Sequence, residues 1–503
     1  MYNQPVFVYS LNQACQKSDW PLHKFECPAL VAHAEKRGTT SESDEGSSEG
    51  TVGTVFVPSE TVRALGRLVW LHSREKSNSV KRKEFELLES HRDKLEPSSP
   101  QTISYTRLGH ALSSYVSHGA PDTNKLLELR LGSAKDIVDL LSKVGALFFS
   151  KCAHPLYPSL TPIGVALSPV AALINHSCVP NCVVVFPKAS ETKKVPNEML
   201  IIAIGKIPPG EEVQIPHTLG KQKILQERYF FKCHCPNCET TSLVKTPYVD
   251  SRRALRCASK SCEGFLPMPR LDDSKLKRTE VQCLQCNIVC TIEPPAIADA
   301  IRLGEEGLER AEELQFSDPE RAFKYTSNLI PMVSRFFHPS AHPLLALSRL
   351  HLSLLISRLD LDRSILDEAI RAAARVAAGI SAVLPAGHPV RAVTYAELGK
   401  LLAVDEYYPE GQEPPEPTSA QLDPKANLTW VAGDEMGIPK GFERLRLAHH
   451  TLMQARQELL IGFGHSEEGG AVGKEVTELA RKIEQEVAIW RKAGGGKRPV
   501  SIS

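Results

Sequence analysis

Three cysteines within six residues, Cys233, Cys235 and Cys238 in the stretch CHCPNC, constrain this chain more than any other feature. The C-x-C-x2-C spacing brings three thiols to one point, and a tetrahedral metal with thiolate ligands takes four. A fourth cysteine lies 55 residues upstream, at Cys178 in NHSCVPN (175–181). A structural zinc held by Cys178, Cys233, Cys235 and Cys238 clamps the later segment against the end of the polar Asn175-His176 stretch. The competing reading is a simple turn at NHSC and an isolated zinc knuckle in CHCPNC, since a short motif alone is weak evidence.

The chain has 503 residues, enough for several domains rather than one core. Its 60 Lys+Arg against 59 Asp+Glu give no reason to expect general electrostatic binding to nucleic acid. No run of about 18 apolar residues exists, so no membrane span is expected. The first twenty residues lack the basic region and apolar core of a secretory signal. Thirteen cysteines without such a signal favour metal ligation over disulfides and point to the cytoplasm, the nucleus or both.

Residues 38–53 are rich in Ser, Gly and Glu and read as a disordered loop. From Pro58 the sequence reads as an amphipathic helix capped by Ser59, with Val62, Leu65, Leu68 and Val69 on one face. A second helical patch covers 123–149. Between 160 and 215 short apolar runs, CVVVF and MLIIAIG, separated by Pro and Gly, read as strands. From about 296 the pattern is helical again, rich in Ala and Leu, and suggests paired helices of a tetratricopeptide-like array without a strict period. The Pro-rich stretch 406–427 interrupts them as a flexible loop. His342, His351, His449 and His450 read as ordinary helix or loop histidines.

NHSCVPN, then Gly210-Glu211-Glu212, then RYFFKCHCPNC (228–238) resemble the SET domain of protein lysine methyltransferases, and more narrowly its SET-and-MYND branch. The resemblance implies that Asn175 and His176 contact S-adenosylmethionine (AdoMet), partly through backbone groups. It implies that Phe231 stacks on adenine and that the four cysteines hold the post-SET zinc. In this family a tyrosine follows Gly-Glu-Glu, its hydroxyl placed where amine and methyl meet. Here the chain continues VQI-Pro216-His217, with no tyrosine between Gly210 and Tyr229. Either His217 replaces it or the strand end and loop are deleted; Tyr229 is no substitute, because its position matches the RYFF motif.

The family also begins its SET domain before the MYND finger, with a Gly-x-Gly loop that cradles AdoMet. This chain starts inside the finger, so the expectation is a truncated product or incomplete gene model. Cys15, His23 and Cys27 resemble the second half of that finger, which in full binds two zincs and recruits proline-containing peptides. The bland alternative is a remnant helix packing Trp20 and Phe25. Independently of the resemblance, Cys257, Cys262, Cys283 and Cys286 form two pairs about 20 residues apart and read as a zinc ribbon. Cys290 is a spare candidate, and Cys152 and Cys182 read as core.

The expected fold class is α+β: a SET-type β core with a helical insert, a post-SET zinc segment and a C-terminal tetratricopeptide-like helical domain. The expected boundaries are 1–30 for the partial finger, 31–57 for the linker, 58–150 for the insert and 151–217 for the SET core. The post-SET segment takes 218–240, the ribbon 250–292 and the helical domain 296–503. The implied activity is methyl transfer from AdoMet to a lysine of a histone or other protein, by a monomer using AdoMet and zinc. The alternative is a catalytically inactive scaffold built from helical repeats and zinc modules.

Overall fold

A computed structural model of the chain describes residues 13–38, 58–76, 78–145, 148–152, 162–186, 199–216, 222–235, 238, 249–259, 262, 264–269, 271, 278–359, 363–404, 438–465 and 468–492. The stretches 39–53 and 406–427, read as loops, lie outside these residues. The chain divides into two units. The first takes Met1–Cys152, Pro162–Asn175 and Gly220–Lys232; the second takes Ala153–Thr161, His176–Leu219 and Cys233–Ser503.

The first unit is mainly helical: α1 (Gln13–Gly38), α2 (Glu60–Arg74), α3 (Val80–Glu86), α4 (Pro100–Val116), α5 (Thr123–Glu128), α6 (Ala134–Gly145), the four-residue α7 (Pro169–Ala172) and α8 (Gln222–Tyr229). Strands β1 (Phe148–Cys152) and β2 (Pro162–Leu167) form an antiparallel hairpin. Serines begin several of the helices. Ser59, Ser79 and Ser99 each accept the N–H of the third residue on, at 3.4, 3.2 and 3.2 Å, supplying acceptors that a helix start lacks. The face expected on α2 is the one buried, with Val62, Leu65, Val69 and Trp70 packed on Leu112, Tyr115 and Val116 of α4. Gly66 permits this approach, because a Cβ there would lie 2.9 Å from the Tyr115 ring.

Two sequence expectations change here. The helical patch 123–149 is broken into α5 and α6 and ends before Phe148, which opens β1. Its break is chemical: Arg130 adopts φ 61°, and Ser133 and Asp136 cap α6 reciprocally, N–H to Oδ2 at 2.9 Å and N–H to Oγ at 3.2 Å. Apolar periodicity ran across this break because both helices bury the same kind of face. The second change concerns α1. Residues 13–38 form one helix through Pro21 and Pro28, Phe25 packs on the core, and Trp20 does not, being 53% exposed.

Glu26 anchors α1 instead. Its side chain is fully buried and accepts from Arg63 Nε at 2.7 Å, Arg67 Nε at 2.8 Å and the Tyr115 hydroxyl at 3.2 Å. Arg67 also reaches Asp19 at 2.6 Å. Burial alone would raise the Glu26 carboxyl, but the two guanidinium groups outweigh it and hold the group below its ordinary range.

The second unit begins with short strands. β3 (Asn175–His176), where the chain passes from one unit to the other, pairs with β6 (Gln214–Ile215). β4 (Cys182–Val185) runs antiparallel to β5 (Leu200–Ala203), with Cys182 opposite Ala203 and Val185 opposite Leu200, as the two apolar runs suggested. Cys182 is buried, in line with its reading as core. Two further hairpins follow: β7 (Leu255–Arg256) with β8 (Phe265–Leu266), and β9 (Thr279–Gln282) with β10 (Val289–Ile292).

The rest of this unit is helical: α9 (Pro294–Leu314), α10 (Pro319–Val333), α11 (His342–Arg358), α12 (Leu366–Val383), α13 (Pro389–Ala403), α14 (Gly441–Gly462) and α15 (Gly470–Lys492), each packed on the next. The proline-rich starts of α9, α10, α11 and α13 suit the first turn, where no N–H is needed for the helix ladder. α12 lies at the centre; its Ala369, Ala372, Ala373 and Ala377 are buried and let neighbouring helices approach closely. His351 is buried and satisfied by Thr326 at 2.9 Å and Glu368 at 3.3 Å, an ordinary core histidine. No helix among the described residues is long and apolar enough to cross a membrane.

Candidate metal centre and cofactor site

The turn from Asn175 to Asn181 is held by its own polar side chains. Ser177, 2% exposed, donates its hydroxyl to Val179 O at 3.0 Å and accepts the Val179 N–H at 3.1 Å. The Ser177 N–H donates to Ile215 O at 3.2 Å. Asn181 ties the turn to the segment after Gly210-Glu211-Glu212. It donates to Glu212 O at 2.8 Å, accepts the Gln214 N–H at 2.8 Å, and its carbonyl accepts the Ile204 N–H at 2.9 Å. Sequence reading passed over both residues. Their signal is the run of short polar side chains on either side of Cys178, the kind that bonds to nearby backbone.

Held this way, Cys178 meets the later cysteines. Its Sγ lies 3.6 Å from that of Cys238 and 3.9 Å from that of Cys233, and all four sulfurs, Cys235 included, fall within 4.8 Å of one another. A zinc tetrahedron with bonds of about 2.3 Å has sulfur–sulfur edges of about 3.8 Å, whereas a disulfide needs about 2.05 Å. The spacing therefore fits a closed tetrathiolate zinc site. Burial raises the Cys233 thiol above its ordinary range. His176 Nε2 lies 3.4 Å from Cys178 Sγ.

One residue beside the cluster carried no sequence signal. Arg252 is gripped by Asp250 through two bonds of 2.8 Å each, and its guanidinium also bonds to the Cys178 thiol. Burial would lower its pKa; Asp250 and Cys178 raise it instead. Zinc with four thiolates carries two net negative charges, and a fixed cation beside it offsets part of that. Arg252→Gln is expected to weaken zinc retention about 10- to 100-fold without removing a ligand. Competition with a chromophoric chelator measures this, and equal transfer rates from wild type and variant would contradict it.

The AdoMet-type residues lie as follows. Asn175 is exposed and His176 half-buried. Phe231 is half-buried, its ring 6.4 Å from that of Tyr229. Between them Phe230 adopts φ 57°, a conformation side chains rarely take, and packs its ring 5.2 Å from His91. This left-handed turn ends α8 and directs successive aromatic rings differently. His217 lies outside the described residues, as does the side chain of Cys15. His23 and Cys27 sit one turn apart on α1, and among the described residues they join no group of three or more metal-type ligands.

Residues 74–217 match the family model of the SET domain. The relatives agree. Histone-lysine N-methyltransferase ASHR1 of Arabidopsis thaliana is 26% identical over 413 residues, 78% of this chain and 74% of that protein. N-lysine methyltransferase SMYD2 of Homo sapiens is 30% identical over 244 residues, 46% of each chain. The chain carries a SET domain and is similar in sequence to these lysine methyltransferases. N-lysine methyltransferase SMYD2-A of Danio rerio is also similar, 29% identical over 245 residues, 47% of this chain and 46% of that protein. The two vertebrate alignments thus span a little under half the length of those relatives. Within the SET match lie α3 to α7, β1 to β6 and Cys178; Cys233, Cys235 and Cys238 follow it.

Proposed function

We propose that this SET protein transfers a methyl group from AdoMet to a lysine side chain of another protein. The observation that carries the reading is the Asn175–Asn181 turn. Its backbone is fixed on one side by Ile215 and Asn181, and its Cys178 joins a tetrathiolate cluster. A strand end held this firmly offers preoriented backbone groups to a polar cofactor, through Asn175 and His176. Phe231 offers an aromatic face to adenine. AdoMet supplies an electrophilic methyl on a sulfonium. The neutral lysine amine forms the N–C bond with its lone pair as the S–C pair leaves to sulfur, and the methylated ammonium then releases a proton to solvent. The protein's part is alignment and exclusion of water; no metal takes part in the chemistry, so the zinc is structural.

Several finer assignments belong to the same proposal. The boundaries 58–150, 151–217, 218–240 and 296–503 are assigned to insert, SET core, post-SET segment and helical domain. The substrate is a histone or another protein lysine, the chain acts as a monomer, and it works in cytoplasm or nucleus. The group beside the reacting amine is left unassigned: His217 lies near the tyrosine position in sequence, and the alternative is that the strand end and loop are deleted.

Transfer of radiolabelled methyl from AdoMet to core histones or a protein mixture, with the modified lysine located by mass spectrometry, tests the activity. Labelled lysine, reduced at sub-saturating AdoMet in Phe231→Ala, is the expected result. No transfer by a folded, zinc-loaded chain supports the scaffold reading instead. Because a base stacked on an aromatic ring gains about 1–3 kcal/mol, Phe231→Ala is expected to weaken AdoMet binding about tenfold or more. Unchanged calorimetric affinity would remove the adenine role.

A further inference from the structure

A second thiol group shares no member with the first. The Sγ atoms of Cys257 and Cys286 lie 3.5 Å apart, those of Cys262 and Cys283 lie 3.7 Å apart, and all four fall within 4.8 Å of one another. These are again the edges of a zinc tetrahedron, about 3.8 Å, and far longer than a disulfide.

Backbone geometry points to the same ligand independently. Gly264 N donates to Cys262 Sγ at 3.3 Å, the Ser259 amide to Cys257, and the Gln285 and Cys286 amides to Cys283. Amides two or three residues beyond a cysteine, folded back onto its sulfur, stabilise it as a charged thiolate ligand. Gly264 leaves the room this needs, since a Cβ there would lie 2.6 Å from Cys283 Sγ and 3.2 Å from Cys262 Sγ. Cys290 is buried in the adjoining core and stays outside the group.

The two hairpins that carry these cysteines are short, with two and four residues per strand. Hairpins of that size do not hold themselves together in water. They sit on the first helices of the unit. Leu255 and Leu266 pack with Ile297 of α9, Ile330 of α10 and Phe337. The strap 250–257 is stitched to the turn after α10: Arg256 N to Phe336 O at 2.8 Å, His338 N to Ala254 O at 3.1 Å, and Ser340 Oγ to Ser251 O at 2.7 Å. The strap starts at the Asp250–Arg252 pair beside Cys178 and ends at Cys257.

We propose that Cys257, Cys262, Cys283 and Cys286 bind one zinc ion as a closed tetrathiolate. This ion fastens the 250–257 strap and the two hairpins onto α9 and α10, so that one stiff segment links the post-SET zinc to the helical array. With four protein ligands it keeps no open position, and its role is structural. The site does not depend on the methyltransferase reading.

Zinc analysis on the purified full chain tests it. Cys262→Ser, at a half-buried ligand, is expected to contain one zinc per chain less than wild type. After cobalt exchange it should lose about half of the sulfur-to-cobalt absorption given by two tetrathiolate sites. Equal zinc and equal cobalt spectra would overturn the proposal. Should that variant fail to fold, alkylation of the wild type decides. Cys257, Cys262, Cys283 and Cys286 should resist a thiol reagent in the zinc-loaded protein and react after chelation. Ready alkylation with zinc retained, or recovery of the four as disulfides, would overturn it.

Discussion

Cys235→Ser is expected to remove one zinc per chain and to lower the melting temperature of the whole protein. Cys235 is one of four sulfurs in a closed set, and a serine hydroxyl is a poor replacement for a thiolate. A structural zinc contributes about 10–16 kcal/mol in small fingers at neutral pH, because the site exists only in the folded chain. The loss in a larger unit is smaller, since other contacts persist, but about 3 kcal/mol or more is expected. That corresponds to a fall of roughly 4 °C or more for a unit of this size. The turn at Asn175–Asn181 would lose its tie through Cys178, so any ligand bound there should weaken together with stability. Zinc content and thermal melting measured together check this, and unchanged values of both would contradict it.

Glu26→Ala is expected to destabilise the first unit by about 3–5 kcal/mol, the cost of leaving buried partners uncompensated. The carboxylate is fully buried between Arg63 and Arg67, with Tyr115 on the same oxygen as Arg63. Removing it leaves two guanidinium groups, each about one-quarter exposed, facing a cavity. Replacing Glu26, Arg63 and Arg67 together by apolar residues should cost much less than the single change, because no charge is then left alone. Equal destabilisation by the single and triple variants would show that packing, not charge, sets the cost. The pH dependence has a defined sign. The folded-state pKa of Glu26 is depressed, so its contribution is present above the ordinary carboxylate range and is lost as pH falls through that range and below. Wild type should therefore lose more stability on acidification than Glu26→Ala does.

Cysteine spacing was the most legible part of this chain because ligand chemistry is local. C-x-C-x2-C and the pairs 257/262 and 283/286 each bring thiols to one point, and both sets do meet. Helix starts were legible where serine supplied a cap, as at Ser59. What stayed hidden depends on partners distant in sequence. Glu26 meets Arg63, Arg67 and Tyr115 across 37, 41 and 89 residues, and nothing in the local pattern announces a buried carboxylate. Arg252 beside Cys178 is hidden for the same reason. The break at Gly132-Ser133 was signalled by the Ser133–Asp136 capping pair, but the apolar period on either side outweighed it. Trp20 illustrates the converse: a large aromatic invites a core assignment, yet α1 turns it to solvent.

The proposed AdoMet site comprises the Asn175-His176 strand end and Phe231. Titration calorimetry of AdoMet into the purified, zinc-loaded chain tests it most directly. Saturable binding near one site per chain is expected, in the micromolar range and weakened about tenfold or more in Phe231→Ala. A folded chain that retains its zinc and gives no binding heat at any temperature tried would contradict it.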